Sequence, residues 1–188
     1  MTAGNPAGIA GLLLAAGAGE RFGGPKALAR DPDGTSWLLR AVVSLKPCDS
    51  LLVVLGAEAE RAAALLPMSV PRMRADDWAE GMGASLRAGL LSLDSSTAHA
   101  AVVTLVDLPD VDAAVVARLV AASTGPHDLA RAAYDGVPGH PVLIGRDHWA
   151  GVVDVATGDR GARDYLAGRD VTLVECGDLA TGADVDAR

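Results

Sequence analysis

The chain has 188 residues, enough for one domain with a full hydrophobic core and short for two. Half of the residues are hydrophobic but only 3% are aromatic, so the core must be built from Ala, Val and Leu. A formal charge of −8 speaks against a nucleic-acid-binding face, which is normally basic. It leaves room for a small anionic ligand, which needs only two or three local cations.

No apolar run reaches the length that spans a membrane. The N-terminal "MTAGNPAGIAG" lacks the basic segment of a signal peptide. Cys48 and Cys176 are isolated and have no metal-ligand spacing. A cytoplasmic protein with two reduced thiols is the expectation, with neither nucleic acid nor membrane as partner.

The first element is the continuous apolar run at 9–15, which predicts a strand buried on both faces. A helix is expected over 37–46, a strand over 51–56, a helix over 58–66 and a short strand over 70–75. Leu86, Leu90 and Leu93 share one helical face in 83–93, and "AAVVTLVD" at 100–107 reads as a strand. Asp110 is placed to cap the next helix, in which Val111, Val115, Leu119 and Val120 recur at helical spacing. Strands near 129–134 and at 141–144, a helical patch around 161–167 and a strand over 171–176 complete the pattern. Alternation of strands and helices predicts a single Rossmann-like α/β domain of three layers over residues 1–188, with a mostly parallel sheet.

In such folds the ligand sits beyond the carboxyl ends of the strands. Three places fall there: the loop after the first strand, Asp107, and the start of the helix near Gly81. The loop, "GLLLAAGAGERFGGPKAL" at 11–28, fails two standard phosphate motifs. Gly19 and Gly24 have the Walker spacing, but Pro25 precedes Lys26 and no hydroxyl follows. Gly17 and Gly19 begin a dinucleotide fingerprint, but Phe22 stands where the third glycine belongs. Gly17 and Gly19 still allow close backbone approach to an anion, Arg21 offers a fork for phosphate oxygens, and Lys26 supplies a point charge. The competing reading is a tight turn carrying two solvated cations.

Five segments in order resemble the MobA-like nucleotidyltransferases: "LAAGAGERFGGPKAL", "WAEGMGASLRAGL" (78–90), "LVDLPDV" (105–111), "GVPGHPVLIGRDHW" (136–149) and "GDRGARDYL" (158–166). They are most similar to the molybdenum cofactor cytidylyltransferase branch. The resemblance implies a nucleotidyltransferase fold and transfer of CMP from CTP to the terminal phosphate of the molybdopterin cofactor, with loss of pyrophosphate. It implies Mg²⁺, held by one or two carboxylates and phosphate oxygens. No general base is needed, because the attacking phosphate is already ionised.

Residue by residue, the resemblance places Leu14, Ala15, Ala16, Gly17, Gly19, Arg21, Lys26, Gly81 and Ser85 at the nucleotide. Arg21, Lys26 and Asp107 would carry catalysis, with Asp107 as metal ligand; its alternative is a turn aspartate. Ala16, where the guanylyl branch has glycine, is the residue bearing on cytosine. Ser85 has ordinary helix capping as its rival, and Trp78 is either core or a stacking surface. His140, Asp159 and Arg163 would face the pterin acceptor, with a structural role as the alternative for His140. Asp186 would be a second metal ligand, although Asp184-Val185-Asp186 is followed by Ala187-Arg188 where the family has Thr-Pro. The segment "LARDPDGTSWLL" is longer than the family's turn. A recipient molybdenum hydroxylase is the expected partner. The alternatives are a guanylyl- or sugar-phosphate nucleotidyltransferase, or a non-catalytic cofactor carrier.

Overall fold

A computed structural model describes residues 8–186. Residues 1–7, on which most of the signal-peptide reading rests, and residues 187–188 lie outside them. Seven strands form one sheet: β1 (Ile9–Ala15), β2 (Ser50–Leu55), β3 (Arg72–Arg74), β4 (Ala100–Leu105), β5 (Leu129–Tyr134), β6 (Val137–Gly145) and β7 (Thr172–Glu175). Their order is β3-β2-β1-β4-β6-β5-β7. β6 runs antiparallel to both of its neighbours, and all other pairings are parallel.

Alternation along the central strands sorts side chains to two faces. In β1, Ile9, Leu13 and Ala15 point to one buried cluster, and Ala10, Leu12 and Leu14 to the other. The first cluster is covered by α1 (Trp37–Ser44), α2 (Ala59–Ala63) and α4 (Ala113–Ala121). The second is covered by α3 (Met82–Leu93), α5 (Trp149–Val155) and α6 (Arg163–Leu166). The result is the expected three-layer α/β architecture. Cys48 and Cys176 are both free, and burial together with the nearby Asp49 pushes the Cys48 thiol up to about 12. Among the described residues, no helix is long and apolar enough to cross a membrane.

The structure departs from the sequence expectations in three places. Asp110 does not cap α4: that cap is Asp112, whose carboxylate accepts from the Ala114 and Val115 amides. Asp110 instead accepts from Thr181, far along the chain. β6 begins at Val137, because it pairs with β5 as a hairpin through Asp135 and Gly136, both at positive φ. Helix α5 is an addition to the expected elements.

Candidate active site

The carboxyl ends of β1 and β4 are adjacent, since these strands pair in register from Ile9–Ala100 to Leu14–Leu105. The loops that follow them therefore meet. They open onto a cleft of about 810 Å³ whose lining includes Leu14 to Phe22, Lys26, Trp78, Gly81, Ser85, Asp107, Asp159, Arg163, Asp184 and Asp186. Every candidate site residue named from the sequence lines this cleft except His140, which lies on β6 outside the lining.

The glycine loop is folded around one carbonyl. The Gly19 oxygen accepts from the amides of Phe22, Gly23 and Gly24 at 2.9, 2.9 and 3.0 Å. Gly19 has φ +61, and a Cβ there would lie 2.0 Å from the Gly24 oxygen, so only glycine fits. Gly17 is different: a Cβ there would meet nothing within 4 Å. Phe22 anchors the loop against Trp37, with ring centroids 5.1 Å apart. The long segment after Lys26 supports that anchor. Asp31 accepts from the Trp37 indole at 2.7 Å and pairs with Arg40, and Arg30 bridges to Ser36 to close the turn.

Lys26 reaches Asp107 at 2.7 Å and Asp186 at 3.4 Å, and Arg21 stands 3.7 Å from Asp186. The Lys26 and Asp107 side chains are each 15% exposed, whereas Arg21 is 82% exposed. Asp107, Asp184 and Asp186 bring one carboxylate oxygen apiece to within 4.8 Å of one another. Asp107 Oδ1 is buried and, among the described residues, has no hydrogen-bond partner. Three hard carboxylate donors this close together, one of them from a group with a buried oxygen left over, fit a divalent cation such as Mg²⁺. Asp184 is the member that the sequence reading leaves out. Its signal was the Asp-Val-Asp alternation, which puts both carboxylates on one side of an extended segment.

The opposite wall is the start of α3. Its N-cap is Gly81, with no side-chain cap, so the first-turn amides are not taken by a capping side chain. Ser85 is the fourth residue of this helix and buried, so it is not the cap. Gly81 and Gly83 press against the segment before α6: a Cβ at Gly81 would lie 2.5 Å from Gly158, and one at Gly83 2.6 Å from the Thr157 amide. Trp78 is half-buried, packs against the second core cluster and abuts Gly56. Ala16 is 4% exposed, and its carbonyl accepts from the Ala57 amide at 2.9 Å.

Towards Arg163 the chemistry turns cationic. Arg131 on β5 donates twice to the Gly139 carbonyl, and burial and the nearby Arg163 both lower its affinity for its proton. Burial, then Arg131, push the half-buried His140 down to about 4, against the opposing pull of Asp107 and Asp184. Its imidazole is therefore neutral at pH 7. The His140 carbonyl accepts from the Tyr134 hydroxyl at 2.6 Å.

A mostly parallel α/β sheet with a glycine cradle, two cations and clustered carboxylates at its strand ends has the makings of a nucleotide site. Residues 11–174 match the family model described as the MobA-like NTP transferase domain, and the chain belongs to that family. It is 36% identical over 190 residues to a protein of Paenarthrobacter nicotinovorans named nicotine blue oxidoreductase, covering 95% of this chain and 92% of that one. It is 36% identical over 108 residues to a probable molybdenum cofactor guanylyltransferase of Rhodopirellula baltica, covering 56% of this chain and 51% of that one. Among solved structures, Rv0371c of Mycobacterium tuberculosis H37Rv superposes with a TM-score of 0.79 at 27% identity, covering 97% of this chain and 94% of that one.

Proposed function

We propose that the protein transfers CMP from CTP to the terminal phosphate of the molybdopterin cofactor, releasing pyrophosphate. The observation that carries nucleotidyl transfer is the meeting of Lys26, Asp107, Asp184 and Asp186 beside the glycine loop. In this reading the loop amides and the cations Arg21 and Lys26 hold the triphosphate and offset the charge of the departing pyrophosphate. An acceptor phosphate oxygen bonds to the α-phosphorus as the bond to the bridging oxygen of the β-phosphate breaks. No proton needs to be removed. Asp107, Asp184 and Asp186 would hold Mg²⁺, which supplies further neutralisation of the phosphates. Asp159 and Arg163 lie at the acceptor end, with Arg163 as the phosphate partner and neutral His140 behind it. Transfer of the finished cofactor to a recipient molybdenum hydroxylase in the cytoplasm would follow.

The choice of CTP rests on Ala16, whose methyl occupies a packed position at the mouth of β1. The guanylyltransferase name of one relative favours GTP instead. Incubation of the protein with purified molybdopterin, Mg²⁺ and each nucleotide separates the two. CTP-dependent pyrophosphate release is expected, and turnover with GTP alone would overturn the cytidylyl assignment. A carrier would bind the pterin and release no pyrophosphate with either nucleotide.

A second reading follows from the relative matched over nearly the whole chain, which is named an oxidoreductase. Reduction of nicotine blue by this chain with an added hydride donor such as a reduced nicotinamide, oxidised in step with the dye, and with no pyrophosphate release from any nucleoside triphosphate, would favour it.

A further inference from the structure

We propose that Asp110 and Thr181 form a clasp that positions Asp184 and Asp186 for the cation, making them positioning residues outside the ligand set. This rests on the metal reading given above. Asp110 Oδ2 accepts from both the Thr181 amide and the Thr181 hydroxyl, each at 2.6 Å. The same hydroxyl oxygen accepts from the Ala183 amide at 3.3 Å, so it links Asp110 to the turn that leads into Asp184.

The rest of the segment shows why one clasp matters. Arg118 grips Asp178 with two hydrogen bonds of 2.5 and 2.9 Å, and Ala180 packs on the small core of Leu108, Val111, Val115, Ala132, Tyr134 and Cys176. Gly182, at φ +65, lies flat on the Tyr134 ring, where a Cβ would come within 2.0 Å of a ring carbon. Beyond it, the Val185 amide donates to the Asp107 carbonyl at 3.1 Å. Val185 packs inward against the first core cluster, so Asp184 and Asp186, its neighbours on either side, emerge on the other side.

The loop after β4 therefore carries both parts: Asp107, the first carboxylate, and Asp110, the anchor for the segment bearing the other two. Pro109 stiffens the link between them. The segment crosses the exposed end of the sheet, and the turn at 181–183 is where it approaches the carboxylates. Asp184 is exposed, and among the described residues Asp186 pairs with Lys26 and Arg21. Without the clasp, the acidic group keeps Asp107 and loses the fixed spacing of the other two.

The test is titration of the full chain with Mn²⁺ alone, an EPR-visible stand-in for Mg²⁺, alongside amide hydrogen exchange. Thr181→Val and Asp110→Ala are expected to weaken Mn²⁺ binding on the order of tenfold or more, as loss of a group that orients a ligand does. Thr181→Ser keeps the hydroxyl and is expected to bind as the unaltered chain does. Exchange at Val185 should rise in Thr181→Val without metal, while β1 and β4 stay protected. At saturating metal the kcat of Thr181→Val should be retained, with the loss confined to the metal concentration required. If Asp110→Ala fails to fold, Thr181→Val, which alters one exposed side chain, decides alone. Equal Mn²⁺ affinity in Thr181→Val and the unaltered chain would overturn the clasp and leave the metal reading standing. No Mn²⁺ binding by the unaltered chain would overturn both.

Discussion

Lys26 Nζ stands 2.7 Å from Asp107 Oδ2, joining the glycine loop to the end of β4 across 81 residues of sequence. The two oxygens of Asp107 are thereby made unequal: one is paired with lysine, and the other is buried with no donor among the described residues. Such a carboxylate can pair with lysine through one oxygen and offer the other to a cation.

Lys26→Met should lower kcat/KM for the nucleoside triphosphate by roughly 10²- to 10³-fold, the usual cost of removing one stabilising donor from a phosphoryl-type centre. Lys26→Arg should rescue little, since a planar fork cannot take the place of a point charge between two carboxylates. Steady-state pyrophosphate release checks both variants, with circular dichroism to establish that each is folded. Activity within twofold of the unaltered chain in Lys26→Met would remove lysine from the machinery.

Two glycines in the same loop should respond in opposite ways. Gly19→Ala forces a Cβ onto the Gly24 carbonyl at a left-handed φ, and is expected to cost at least about 1–2 kcal/mol of stability. Gly17→Ala meets no protein atom, so its melting temperature should stay close to that of the unaltered chain. Its methyl faces the cleft, and KM for the triphosphate should rise instead. Urea unfolding and triphosphate titration of the pair measure the contrast.

His140 predicts an acid-sensitive fold. Its folded value lies near 4, below the ordinary 6.5, so between these limits the unfolded chain binds more protons than the folded one. The stability this contributes is fully present above 6.5 and is lost as pH falls towards about 4. Chemical unfolding at pH 7 and pH 5 should show a smaller drop for His140→Gln than for the unaltered chain. An identical drop in both would assign the acid response to other groups.

Ala16→Gly tests nucleotide choice directly. Loss of one methyl in a close-packed position is expected to shift the ratio of CTP to GTP turnover towards GTP by about tenfold. The measurement is competition between the two nucleotides at equal concentration. An unchanged ratio would mean that the base is selected elsewhere in the cleft, with Trp78 and Met82 the next residues to vary.

Strong periodic signals made much of this legible in the sequence. β1 and β4 are dominated by apolar residues, with Thr104 the polar one in β4, and their pairing places the glycine loop beside Asp107. Long-range contacts were not legible. Asp110 and Asp112 are equally good caps on local grounds, and only the arrival of Thr181 takes Asp110 out of contention. Helix α5 buries just Trp149 and Val152 within its seven residues, too few for a helical period to stand out. Asp184 was hidden because its role depends on Val185 turning inward, which the core behind Asp107 dictates.

The contact of Gly81 and Gly83 with residues 157–159 has a consequence for how this cleft can diverge. Its width on that side is set largely by main chain lying on main chain, with the Asp159 carboxylate beside it. Substitution can repaint the walls, at Ala16, Trp78 or Met82, without moving them apart. Acceptors of a different chemical type can thus be accommodated by new wall residues, whereas a bulkier ligand would require rebuilding the backbone itself.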